Sequence, residues 1–420
     1  MGKNKVLKLM RNRISNPTVD KKPNILITLI FAIITVLYSG HATFTFFTSM
    51  KYIIVLSFLL ALPALYLFYF RKKEFNDGLI VYLLTVVMLI CTTFASGFEG
   101  IVTYVLLGCL VTTALAITLT YSFSSFVNAF LNTMVVVAFI GIAGHLLVVN
   151  TDVEELFPVF LNNNEVEYKS IFIFSTIAKI PDRNCGMFWE PGLFATFLLY
   201  AIVFELVFKK KSPSILRLLL FAVGIITTTS AAGYALLLMC ALLFFSILFH
   251  KNKNKTVKII FLCCIAAVIL FIVSLNFIIT NTSLADNPYL SKLLLENILE
   301  SSRVKAILHN FDVFAEFPLF GAGLQRALDA TKHVSDTSTS TYMLSVFGIL
   351  GGLYTFWWII GVVKIKGMSV MSKAILLIIL LCIVNKEPHM FILFSWIVMF
   401  YLIQGKPGKE LEIRRTFNNR

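Results

Sequence analysis

Whatever chemistry this chain performs rests on a few polar residues, because only 14% of its 420 residues are charged and most of those are basic. In the segment Asp182-Arg183-Asn184-Cys185-Gly186-Met187-Phe188-Trp189-Glu190-Pro191-Gly192, Pro191 suits the first turn of a helix and Glu190 suits its positive end. Arg183 has no comparable duty beyond the rim of an acidic loop. Arg303 falls at the edge of an apolar helix face, on the side of Asn310, where an arginine either snorkels or binds an anion. Further on, Glu316-Phe317-Pro318-Leu319-Phe320-Gly321-Ala322-Gly323 reads as a helix stop followed by glycines that permit tight turns. Such turns also aim backbone N–H groups at a phosphate. A solvated face, a loop ion pair or a plain turn is the structural alternative for each.

The elements that position these residues are apolar runs. Mean hydropathy is +0.86 and 58% of residues are hydrophobic, far above a soluble domain. The runs are continuous rather than alternating, which selects helices over a barrel. A helix also bonds its own backbone within one segment, as lipid requires. The expected fold is therefore an all-α polytopic membrane protein of about twelve spans, at 24–40, 52–70, 78–98, 101–121, 126–149, 191–208, 214–229, 232–249, 257–280, 340–363, 370–385 and 389–404. The stretch 214–249 is too long for one span and divides at the polar, small-residue hinge Thr227-Thr228-Thr229-Ser230-Ala231-Ala232-Gly233.

With twelve spans, all six basic clusters fall on one side. They are Lys3 to Lys22, Arg71-Lys72-Lys73, Lys209-Lys210-Lys211 with Arg217, Lys251 to Lys258, Lys364 to Lys373, and the stretch from Lys406 onward. That side holds 26 of the 36 Lys and Arg but only 6 of the 22 Asp and Glu. Positive loops stay cytoplasmic, so both termini are expected inside, and 150–190 and 281–339 become two large outer loops. The first run lacks a small-residue cleavage site and is expected to be a retained span. The organisation is then a basic N-terminus (1–23), spans one to five (24–149), an outer loop (150–190), spans six to nine (191–280), a larger outer loop (281–339), spans ten to twelve (340–404) and a basic tail (405–420). The net charge of +14 is a topology signal. Scattered over six short loops, it argues against a nucleic-acid partner. Of seven cysteines only Cys185 sits in an outer loop, so neither a disulfide nor a structural metal is expected.

Within the second outer loop, Val304, Ile307, Leu308, Phe311, Phe314 and Ala315 share one helical face, with Lys305, His309, Asp312 and Glu316 opposite. The pattern predicts a helix from Arg303 to Glu316, lying at the membrane surface or under the loop.

These segments, in this order, resemble the O-antigen polymerase and O-antigen ligase families, polytopic bacterial enzymes related to the GT-C class of glycosyltransferases. The resemblance rests on Arg183-x-x-Gly186 with Glu190-Pro191-Gly192 at the start of a span, and on Thr228-Thr229-Ser230-Ala231-Ala232-Gly233. The latter is similar to a T-x-S-R-x-G turn, with Ala231 in place of Arg. Arg303 followed by Pro318-Leu319-Phe320-Gly321-Ala322-Gly323, and Gly348-Ile349-Leu350-Gly351 in the next span, complete it. The match covers roughly 180–355 and the overall topology. The ligases place a His, then Asn, Ser or Gln, nine residues before their G-x-x-G. Here Thr337 and Ser338 hold those positions and His333 lies four residues earlier, which favours polymerase over ligase.

The resemblance implies a GT-C-like glycosyltransferase in the bacterial inner membrane. It would polymerise undecaprenyl-diphosphate-linked oligosaccharide repeat units on the outer face, into O-antigen or capsule. The lipid carries the activated sugar, so no cofactor is implied; the pathway's flippase and chain-length regulator are implied partners. A diphosphate leaving group needs cations or fixed dipoles. Arg183, Arg303 and Arg326, with the turn at Gly321 and Gly323, are the candidates for binding it. Glu190, Asp336, Glu387 and His333 are the candidates for a general base. Transport is the rival class, but the spans are nearly free of charge, with Glu205 the chief exception, near the cytoplasmic end of its span. A non-catalytic envelope scaffold is the third.

Overall fold

The computed structural model describes residues 25–42, 77–161, 166–209, 212–251, 302–330 and 338–405. The expected spans at 52–70 and 257–280, and the candidates His333 and Asp336, lie outside the described residues.

Within them the chain runs α1 (Ile25–Tyr38), α2 (Asp77–Ala95), α3 (Ile101–Thr120), α4 (Phe123–Asn150), β1 (Val159–Leu161), β2 (Glu167–Ile171), β3 (Phe174–Ile177), α5 (Pro191–Val203), α6 (Ile215–Thr227), α7 (Ala231–Lys251), α8 (Ser302–Glu316), α9 (Leu324–Ala330), α10 (Thr339–Phe347), α11 (Gly352–Val363), α12 (Val370–Val384) and α13 (Leu393–Ile403). Among the described residues six helices are long and apolar enough to cross a membrane, and four shorter apolar helices accompany them. Each of these ten coincides with an expected span, and 214–249 breaks at Thr228, as its composition predicts. The chain is a polytopic membrane protein.

α5 and α13 are buried along their entire lengths and form the centre, as helices apolar all round must. Phe130 and Phe394 stack there with ring centroids 4.4 Å apart. The outer helices turn Val87, Ile90, Val136, Phe139, Ile215 and Leu216 outward. In water such a surface would drive association; in a bilayer it meets lipid tails.

Lys364 bridges Asp77 at 2.8 Å and donates to the Ile403 carbonyl at 3.1 Å, joining three segments on one face, here called the basic face. Segments 38–42, 184–192, 338–341 and 385–392 meet at the opposite end, the loop face.

Two features depart from an all-α chain of continuous spans. β1, β2 and β3 form a three-stranded antiparallel sheet in that order. Its middle strand alternates, with Tyr168 and Ser170 inward and Glu167 and Lys169 outward, the period-two pattern of a half-buried strand. The expectation of an all-α fold is corrected there. The expected span 340–363 is also interrupted, because Gly348–Gly351 is a 3-10 turn between α10 and α11. The turn at 318–323 fills the break. Ala322 N–H donates to Ser345 O at 2.8 Å, Gly323 N–H to Val346 O at 3.1 Å, and Ile349 N–H to Pro318 O at 2.8 Å. Backbone groups left over at a break must find partners in lipid, and this turn supplies them.

The helix expected at 303–316 is present as α8, but rotated from the expected orientation. It buries Ala306, Asn310 and Val313, while Leu308 and Phe311 of the apolar stripe point outward. The reason is α10, whose Thr341 and Ser345 hydroxyls bond the Asn310 amide at 3.1 and 3.3 Å. A buried amide needs these partners, whereas Leu308 and Phe311 can face lipid.

Candidate functional site

At the loop face four segments enclose a buried polar cluster. Phe394 N–H donates to Ser39 Oγ at 3.1 Å, and Ala42 N–H donates to Met187 O at 2.9 Å. These contacts set the start of α5 beside the turn between α12 and α13. In that turn Lys386 and Glu387 are only 3% and 4% exposed, and charged side chains are almost never so buried unless they are paired. Lys386 Nζ donates to Gly192 O at 2.8 Å. Thr339 Oγ1 donates to Glu387 O at 2.7 Å and accepts from His389 N–H at 2.8 Å. Asn385 Oδ1 accepts from Ser340 N–H at 2.7 Å. The start of α10 is thereby clamped to the turn.

Glu190 is the N-cap residue of α5, with Pro191 in the first turn, yet its side chain makes no capping bond. It turns toward Glu387 instead. A Cβ built on Gly192 would lie 2.8 Å from Glu387 Oε1 and 2.9 Å from Glu190 Oε1. The two carboxylates therefore face one another across Gly192, and only a glycine leaves them room. His389, fully buried two residues further on, shares a hydrogen between Nδ1 and Ser395 Oγ at 2.5 Å. Burial, and then the Lys386 ammonium, hold its pKa down to about 3, so the ring is neutral at physiological pH.

Arg183 lies on the same loop. Its Nε donates to Thr229 Oγ1 at 2.9 Å and to Thr228 O at 3.3 Å, over the hinge between α6 and α7. Asn184 secures the contact, its side-chain amide donating to Thr227 Oγ1 at 2.8 Å. Between Arg183 and Glu190 sits Cys185, fully buried. Burial and then the Glu190 charge push its thiol far up, against the opposing pull of Arg183. Such a thiol is inert.

Residue 303 stands two turns before Asn310 on α8. That helix runs alongside α10 in the same direction, since Asn310 meets Thr341 and Ser345 while Pro318 meets Ile349. The register sets position 303 at the start of α10, the end that Glu387 holds.

Gly321, Gly323 and Arg326 belong elsewhere. The Gly321 and Gly323 amides are taken by Phe317 O at 3.1 Å and Val346 O at 3.1 Å. Both residues have positive φ, and a Cβ on Gly321 would fall 2.1 Å from Val346 O. Their expected part as phosphate donors is corrected to close backbone packing. Arg326 is exposed on α9, where Leu324 N–H bonds the Tyr104 hydroxyl at 2.9 Å. The whole of α10 separates that place from Glu387, about 13 Å at 1.5 Å per residue.

The structure thus brings Glu190 and Glu387 together at Gly192, ties Arg183 to the α6–α7 hinge, and leaves Arg326, Gly321 and Gly323 apart. Lys386, Thr339 and His389 were not among the expected site residues. The signal for the first was present: a Lys-Glu pair in a short turn of a chain whose spans are nearly free of charge. Among the described residues no group of three or more His, Cys, Asp or Glu could hold a metal ion. No family model, curated protein or solved structure matches this chain.

Proposed function

We propose that this chain is a polysaccharide polymerase of the outer face of the bacterial inner membrane, acting on undecaprenyl-diphosphate-linked oligosaccharide repeat units. The observation that carries this reading is the pair of carboxylates, Glu190 and Glu387, facing one another across Gly192 at the membrane boundary. A transfer of this kind needs a base for the acceptor hydroxyl and charge stabilisation for the departing diphosphate. One of the two glutamates takes the proton from the non-reducing sugar of the incoming unit. That oxygen attacks the anomeric carbon of the growing chain, and the bond to the diphosphate breaks. Arg183 and Arg303 take up the charge left on the phosphate oxygens. The family turn that carries an arginine has Ala231 here, and Arg183 reaches the same turn from the loop through Thr228 and Thr229, which supports the assignment. The positive-inside rule puts the loop face outward and both termini in the cytoplasm. The ligase and transporter alternatives gain no observation. Ser338, at the start of α10, bonds Asn385 Oδ1 at 3.5 Å with no histidine beside it in sequence, and Glu205 is held by cations close to the basic face.

The test is deletion of the gene in its host, with surface glycans resolved on a gel. The expected result is collapse of the ladder to a single repeat unit, restored by wild type but not by Glu387→Gln or Arg303→Ala at equal protein level. Full-length polymer held on its lipid carrier would mean ligase instead, and an unchanged ladder would end the glycan-assembly reading.

A further inference from the structure

The bond that Lys386 makes to Gly192 is not one that α5 requires. Gly192 O lies in the first turn of the helix, where the Thr196 N–H, four residues on, takes it as acceptor. The Thr196 hydroxyl stands at the same place. Elsewhere in the spans a threonine donates to the carbonyl four residues back: Thr85 to Val81 O at 2.8 Å, Thr113 to Cys109 O at 2.8 Å and Thr133 to Ala129 O at 3.0 Å. Thr196 is fully buried, yet among the described residues its Oγ1 has no hydrogen-bond partner. Lys386 Nζ takes the Gly192 carbonyl in its stead, at 2.8 Å. A neutral local donor is thus replaced by an ammonium that is 3% exposed. Burying that charge is costly unless an opposite charge is close.

The opposite charge stands at the same residue. A Cβ on Gly192 would lie 2.8 Å from Glu387 Oε1 and 2.9 Å from Glu190 Oε1. One glycine therefore meets the ammonium through its carbonyl and both carboxylates through its Cα. Carboxylates placed so close disfavour each other's charge, and a nearby cation offsets this. The other groups around the pair supply no such cation. From the turn, the His389 ring is neutral. From the 184–192 loop, Cys185 is a buried thiol. From 38–42, His41, its pKa lowered by burial, bonds Phe172 O through Nε2 at 2.5 Å. The start of α10 brings the hydroxyls of Ser338 and Thr339. Arg183 is tied to the α6–α7 hinge, and Arg303 is set at this end by the register of α8 alone.

We propose that Lys386 is a positioning residue for the carboxylate pair: its ammonium fastens the first turn of α5 to the α12–α13 turn and supplies the positive charge that lets Glu190 and Glu387 face one another. The proposal rests on the polymerase reading for what the pair does. Lys386 touches no reacting atom. Without it Thr196 can donate to the Gly192 carbonyl, so α5 keeps its bonds while the carboxylates lose their cation and their alignment.

The experiment uses the full chain in nanodiscs and follows, across pH, polymerisation of a polyprenyl-diphosphate-linked repeat unit prepared from the host. Lys386→Met should lower kcat about tenfold or more, with KM little changed and a melting temperature near wild type. Removing a cation makes a neighbouring carboxylate harder to ionise, so the acid limb of the kcat profile should move up by about one pH unit. Lys386→Gln keeps a donor without the charge and should show the same displacement. Lys386→Arg should return rate and acid limb toward wild type. Wild-type kcat and profile in Lys386→Met would make the lysine a clamp and nothing more, and the proposal alone would fall. A lower kcat with the acid limb in place, not restored by arginine, would overturn it equally. Should Lys386→Met not fold, Lys386→Gln decides on the same readings. No polymer from the wild type would instead bring down the polymerase reading, and this proposal with it.

Discussion

The chain buries carboxylates at both membrane faces, and the two places are built on opposite principles. At the basic face a single carboxylate, Glu205, is surrounded by donors. Lys209 bonds it from the next turn, Ser214 N–H donates at 2.6 Å and Arg217 lies at 3.7 Å. The helix shifts to a π turn over Phe204–Phe208, the kind of local insertion that re-aims side chains. At the loop face two carboxylates face one another, and the neighbouring Lys386 directs a donor to the carbonyl of Gly192. The first arrangement closes a salt bridge around one charge. The second sets two like groups on either side of Gly192, an arrangement that fits the acid–base chemistry proposed above. Burial of charge alone does not mark a functional site; the way the charges are matched does.

The largest expected effect separates the two in activity. Glu387→Gln or Glu190→Gln should lower polymer formation by about a hundredfold or more with little change in melting temperature, while Glu205→Gln should leave the activity per folded molecule near wild type. Comparable losses from all three variants would erase the distinction. In stability the order reverses. Glu205→Ala strands the Lys209 and Arg217 charges and should cost about 3 kcal/mol or more, read by thermal unfolding in detergent. Gly192→Ala probes the space between the paired carboxylates. Its Cβ would push both apart, and we expect about a tenfold loss of activity, measured in the same polymerisation assay.

The smallest effect is on pH. Burial depresses the pKa of His389 to about 3, below its unfolded value of about 6.5. The unfolded chain therefore binds a proton that the folded chain refuses. The stability contributed by the neutral ring is complete above about pH 6.5 and is lost as pH falls toward 3. Replacing His389 with Gln should flatten the acid side of the stability profile over that window, whereas a variant at Glu205 should leave that part of the profile in place.

Much of this comparison was legible in the sequence, and what was not has a physical cause. Continuous apolar runs located ten spans because a backbone in lipid must bond itself, and an unbroken apolar run does so as a helix. The hinge at Thr227 to Gly233 showed through its polar, small residues, and Glu205 stood out as a lone charge. The facing of Glu190 and Glu387 was not legible, although both were named as bases. Their meeting depends on how α5 packs beside the α12–α13 turn, and residues so far apart in sequence leave no local periodicity. The strands at 159–177 were missed because their short alternation sits inside a loop otherwise read by charge. The rotation of α8 was missed for a different reason. Helical periodicity finds an apolar stripe but does not say whether protein or lipid will cover it, and the polar Asn310 proved the better guide to the packed side.

The interruption of α10–α11 bears on how the protein is made. Residues 318–323 leave the ribosome before the helix they complete, and the Ser345 and Val346 carbonyls take their hydrogen bonds from that earlier segment. The break in the span from Thr339 to Val363 therefore takes its hydrogen bonds from a turn synthesised before it. Shortening that turn would strand peptide groups inside the bilayer, so these six residues set how late in synthesis the span can be completed.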